Sequence, residues 1–166
     1  MGSILLTSLT TWLPHQQSNA ADDLLAIVQQ QDPHYDYLRQ LPVETVRAAQ
    51  QVILEIEQVR PRAIICCGMA ESRTSLSIEA IATRNQSCIQ TTVNLEQLSS
   101  RLTNTYISYD AGKFVCEGLY FQVLNYLQYK RLDIPCIFVH VPLLTSTNKP
   151  QILHDFQLII DVLRDD

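Results

Sequence analysis

The sequence predicts an α/β fold: a three-layer sandwich with a mostly parallel twisted sheet and helices on both faces. Three observations predict it. Strand-like and helix-like segments alternate along the chain, the pattern of layered α/β domains. The strand-like runs "SILLTS", "RAIICCG" and "PCIFVHVP" carry long apolar stretches, as strands of a helix-covered parallel sheet do. An apolar fraction of 46% and a charged fraction of 17% in 166 residues suit one globular core, and so one domain over 1–166.

Each element follows from local pattern. Residues 3–8 form a short apolar run and read as a buried strand. Asn19 then caps a helix through Leu24, Leu25, Ile27 and Val28. Residues 35–43 read as a short edge strand, because Pro42 has no N–H to give a ladder. Val46, Ala49, Val52, Ile53, Ile56 and Val59 recur three and four apart, which predicts a helix over 44–59 that Pro61 stops. A central strand covers 62–68, with Gly68 as its exit turn.

Residues 75–83 alternate cleanly. One strand there puts Leu76, Ile78, Ala80 and Ala82 on one face and Ser77, Glu79 and Ile81 on the other. A strand over 104–110, a helix over 113–130, a strand over 135–142 and a helix over 149–164 complete the chain. Functional sites in such folds form at the carboxyl ends of strands.

Composition excludes several classes. The net charge is −5 and no Lys/Arg run exists, so the electrostatic footprint of a nucleic-acid binder is missing. No stretch approaches the roughly 20 apolar residues of a membrane helix. The opening "MGSILLTSLTTWLP" lacks the basic leader and long apolar run of a signal peptide. The five cysteines are odd in number and sparse, which argues against a disulfide framework and for the cytoplasm. No pair has zinc-site spacing, and no metal or organic cofactor is expected.

Three residues carry candidate chemistry. Glu79 interrupts an apolar strand and reads either as the exposed face of an edge strand or as an acid that orients a histidine. His140, at the end of a strand, reads either as a satisfied structural histidine or as a general base. Cys116 reads either as a small buried hydrophobe or as a nucleophile. It stands in the first turn of a helix after a glycine-containing turn, where free backbone N–H groups and the helix dipole favour a thiolate. Together they supply nucleophile, base and orienting acid.

The segments around these residues resemble the pyrrolidone-carboxylate peptidases, or type I pyroglutamyl peptidases. In "GMAESRTSLSIEAIATR", Gly68, Ala70, Arg73, Glu79 and Ala82 match the family's "GxAGGR" and "ERVAIN" stretches. In "SYDAGKFVCEGLYF", Ser108, Ala111, Gly112 and Cys116 match its nucleophile motif, and "IFVHVPLL" matches its histidine segment at His140. The resemblance implies a phosphorylase/hydrolase-like sandwich and a Glu79–Cys116–His140 triad acting on a small peptide or acyl amide. It also implies self-assembly into a homo-oligomer.

The departures are specific. Leu9 and Trp12 fall where the family has two ring-clamping aromatics, so a pocket of different shape is expected from Leu9, Trp12, Met69 and Val115. The family's loop arginine has no counterpart between 85 and 104, which leaves Arg84 as the oxyanion candidate. Three functions are therefore weighed: pyroglutamyl cleavage, cleavage of another small acyl amide, and a retired scaffold that binds without turnover.

Overall fold

The computed structural model describes residues 3–165. Six strands form one sheet: β1 (Ile4–Leu9), β2 (Asp36–Leu41), β3 (Ala63–Met69), β4 (Leu76–Glu79), β7 (Thr105–Ser108) and β8 (Cys136–Val141). Their order is β2-β1-β3-β8-β4-β7. Every pairing is parallel except β4 on β8, so β4 and β7 run against the other four. The strands β1, β3 and β8 are buried along almost their whole length, as their apolar runs require.

Helices cover both faces. On one side α1 (Ala20–Gln31), the short α3 (Leu95–Ser99) and α5 (Lys149–Asp165) pack with Ile4, Leu6, Ile65, Ile137 and Val139. On the other, α2 (Thr45–Val59) and α4 (Val115–Lys130) pack with Leu5, Ile64, Cys66 and Phe138. The caps are local. Asn19 accepts from the Ala21 N–H at the start of α1, and Glu44 accepts from the N–H groups of Val46 and Arg47 at the start of α2. Among the described residues no helix is long and apolar enough to cross a membrane.

Two sequence expectations need correction. The alternating run 75–83 is two strands, not one. The chain leaves β4 at Ala80, whose N–H donates to Ser108 O (2.7 Å) and whose carbonyl accepts from Thr91 N (3.0 Å). It then enters β5 (Ile81–Arg84), which pairs with β6 (Ser87–Gln90) as a separate hairpin. The faces swap at this break: Ala80 packs with the α1/α5 core and Ala82 with the α2/α4 core. Alternation alone does not reveal a change of sheet. Gly68 also lies inside β3, opposite His140 of β8, and is no exit turn.

Candidate active site

Register builds the site. Ser77 of β4 stands opposite His140 of β8, and Glu79 opposite Phe138. Strand alternation then puts Glu79 and His140 on one face as a diagonal cross-strand pair, within reach of long side chains. His140 Nδ1 lies 2.7 Å from Glu79 Oε1, and both residues are buried. Tyr120, fully buried on α4, donates its hydroxyl to the Glu79 carbonyl at 3.0 Å. The Phe138 ring packs between Tyr120 (5.7 Å between centroids) and His140 (4.9 Å).

Cys116 is the second residue of α4, which covers this same face. Phe114 precedes the helix and gives it no side-chain cap. The first N–H groups of α4 are therefore not taken by a capping side chain, and Val115 and Cys116 line the cleft there. The cleft has a volume of about 810 Å³ and runs past the carboxyl ends of β1, β3 and β8. Cys116, His140, Arg73 and Met69 all line it. Among the described residues no hydrogen bond joins the Cys116 thiol to His140.

The electrostatics divide the pair. Burial pushes the Glu79 carboxyl up, but the donors around it (His140, Ser108 and Arg73) outweigh that and hold it below its ordinary value. Glu79 is thus a carboxylate at neutral pH. Burial, then the Glu79 charge, raise the Cys116 thiol to about 12, against the opposing pull of Arg73 and of the backbone N–H of Cys116. The helix start alone predicts a depressed thiol, and here desolvation wins. The resting sulfur is a thiol.

Of the expected pocket residues, Leu9, Trp12, Met69 and Val115 all line the cleft. Leu9 is buried, while Trp12 stands 51% exposed with its ring 5.4 Å from that of Phe114. Met69 Sδ accepts from the Ala20 N–H at 3.2 Å, so its side chain is seated between cleft and α1. Arg84 is not among the cleft residues. It is exposed at the end of β5, opposite Ser87 in the hairpin. It stands in the separate hairpin and not among the residues that line the cleft, so the site as built does not include it as an oxyanion donor.

Two cleft residues were not singled out by sequence reasoning. Phe114 reads as part of a helix start but is 69% exposed and faces Trp12. Arg73 reads as one match in a loop motif, yet its Nη1 donates to Glu79 Oε1 at 2.5 Å and its Nη2 to Asp110 O at 2.7 Å. Its place in the matched loop motif was the available signal. At the rim, Glu71 accepts from His15 (3.1 Å) and Gln16 (3.0 Å) and ties the 10–18 loop to the loop after β3. Among the described residues no three His, Cys, Asp or Glu side chains are grouped to hold a metal ion.

A thiol at a helix start, sharing a cleft with a buried imidazole–carboxylate pair on an α/β sheet, is the site plan of a thiol hydrolase. No family model matches the chain. A pyrrolidone-carboxylate peptidase of Thermoanaerobacter sp. is 27% identical, over 67% of this chain and 68% of that protein. One from Brevibacillus brevis is 23% identical, over 64% and 62%. Among solved structures, pyrrolidone carboxyl peptidase from Thermococcus litoralis superposes with a TM-score of 0.84 at 18% identity, covering 99% of this chain and 94% of that one. Bacillus amyloliquefaciens pyroglutamyl peptidase I gives 0.85 at 14% identity, covering 100% and 98%. By sequence the chain is similar to the pyrrolidone-carboxylate peptidases, and it shares the fold of their solved structures.

Proposed function

We propose that the protein is a cysteine-type hydrolase that removes an N-terminal pyroglutamyl group, or a small acyl group of similar shape, from a peptide. The observation that carries this reading is the buried 2.7 Å pair of His140 Nδ1 and Glu79 Oε1 in the same cleft as Cys116. The carboxylate fixes one ring nitrogen as the N–H donor, which leaves Nε2 as the base.

The steps follow from the resting protonation. With its sulfur a thiol, Cys116 gives up its proton to His140 Nε2 as the S–C bond to the amide carbonyl forms. The uncapped N–H groups at the start of α4 hold the oxyanion, in place of a loop arginine. The imidazolium passes its proton to the departing amine, leaving a thioester on Cys116. Water, deprotonated by the same nitrogen, then releases the acid. The acyl ring sits near Leu9 and Met69 under the Trp12–Phe114 pair.

Cytoplasmic residence, freedom from nucleic acid and assembly as a homo-oligomer belong to the same proposal. The odd cysteine count and the lack of a basic run support the first two. The likeness to the family supports the third.

The test is release of a fluorescent amine from a pyroglutamyl amide by the parent and by Cys116→Ala. The proposal expects turnover that disappears in the variant. Equal rates in both would remove Cys116 from the mechanism. One observation favours a second reading, a scaffold that binds the acyl group without turnover: the thiol is held at about 12 and makes no hydrogen bond to His140. Tight binding of pyroglutamate with no amine release would establish that reading instead.

A further inference from the structure

On the hydrolase reading above, we propose that Arg73 is a positioning residue that locks the Glu79 carboxylate to the loop leading into the nucleophile's helix. The same contacts hold its cation in the cleft that Cys116 lines. The geometry is that of a bracket. Nη1 reaches Glu79 Oε1 (2.5 Å) and the Ser77 hydroxyl on β4, while Nη2 reaches Asp110 O (2.7 Å) and Ser108 Oγ (3.4 Å) at the end of β7. One planar fork therefore ties the acid to the segment that runs from β7 into α4. Only a guanidinium presents donors in that fixed fan.

The arrangement bears on function in two ways. Glu79 Oε1 serves both His140 and Arg73, while Oε2 is buried and without a hydrogen-bond partner among the described residues. Without Arg73 the carboxylate is left with the nearby Ser108 hydroxyl and the imidazole, the group it has to orient. Arg73 also offsets a buried negative charge close to the thiol, and the cation itself favours the thiolate. Both terminal nitrogens are committed to four protein oxygens. The side chain therefore holds the site rather than the oxyanion.

The test is the iodoacetamide rate constant at Cys116, read on its peptide by mass spectrometry between neutral pH and about pH 10, for the parent, Arg73→Gln and Arg73→Lys. A positioning cation predicts alkylation on the order of tenfold slower in Arg73→Gln at each pH. Arg73→Lys should stay within about twofold of the parent, because it keeps the charge. A purely structural role predicts the opposite sign, since loosening the buried site admits water and speeds alkylation. A rate in Arg73→Gln equal to or above that of the parent overturns the proposal.

Should Arg73→Gln fail to fold, Arg73→Lys carries the test. It should alkylate like the parent while its kcat for a pyroglutamyl amide falls about tenfold or more with KM little changed, because lysine keeps the charge and loses the fork. Unchanged kcat, or loss of kcat and alkylation together, overturns the proposal. The alkylation readout needs no substrate, so it stands even if pyroglutamyl amides are not turned over.

Discussion

Gly68→Ala is the smallest change that reaches the candidate nucleophile. A Cβ at position 68 would lie 2.6 Å from Cys116 Sγ, 2.9 Å from Phe138 Cζ and 3.1 Å from Phe138 Cε1. Ordinary contact is about 3.5–4.0 Å, so each neighbour is overlapped by roughly half an ångström or more. The Phe138 ring is fully buried between Tyr120 and His140 and has nowhere to retreat. The sulfur ends a side chain with one torsion and gives way first, turning from its seat beneath the cleft. Overpacking of this kind costs about 1–3 kcal/mol, or roughly 2–4 °C in Tm per kcal/mol for a domain of this size. Displacing a reacting atom by about 1 Å costs about 10²-fold in rate. Denaturant unfolding and kcat/KM on a pyroglutamyl amide read the two effects. A variant with the parent's stability and the parent's turnover would refute the packing described around Cys116.

Other expectations follow from the same geometry. Burial and Glu79 raise the Cys116 thiol to about 12, so iodoacetamide alkylation should be slow near neutral pH and climb about tenfold per pH unit through pH 10; a plateau near neutral pH contradicts this. The unfolded thiol ionises near 8.5, below the folded value. Stability owed to the protonated thiol is therefore complete below about pH 8.5 and is lost as pH rises toward 12; the unfolding free energy of the parent minus that of Cys116→Ala should fall across that window. Glu79→Gln keeps the shape but removes the charge that fixes the imidazole, and kcat should drop by about 10³, checked beside a circular dichroism spectrum like the parent's. Tyr120→Phe loses a buried hydrogen bond to the Glu79 carbonyl and should cost about 0.5–1.5 kcal/mol in urea unfolding, with the smaller effect on rate.

Much of the fold was legible because its signals are local. The helix over 44–59 shows in apolar spacing, the first helix in its Asn19 cap, and the central strands in runs with no polar face. Glu79, Cys116 and His140 could be singled out as chemistry at strand ends and a helix start. What was not legible depended on long-range geometry. The break at Ala80 keeps perfect alternation on both sides, and only hydrogen bonds to Ser108 and Thr91 reveal it. That break carries Arg84 out of the cleft. Arg73 reaches Glu79 and Asp110 across a loop, and no spacing rule predicts such a reach. The thiol's protonation turns on burial against the helix dipole, a balance set by how α4 packs on Gly68 and Phe138.

The most direct test of the triad is to catch its covalent intermediate. The protein is mixed with an activated pyroglutamyl ester, quenched in acid within one turnover, digested and weighed peptide by peptide. The triad predicts a pyroglutamyl thioester on the Cys116 peptide of the parent, decaying on dilution, and little or none in His140→Ala, which lacks the base that takes the thiol proton. Product formed with no acyl group ever found on Cys116, or the same acylation in Cys116→Ser at another residue, would contradict it.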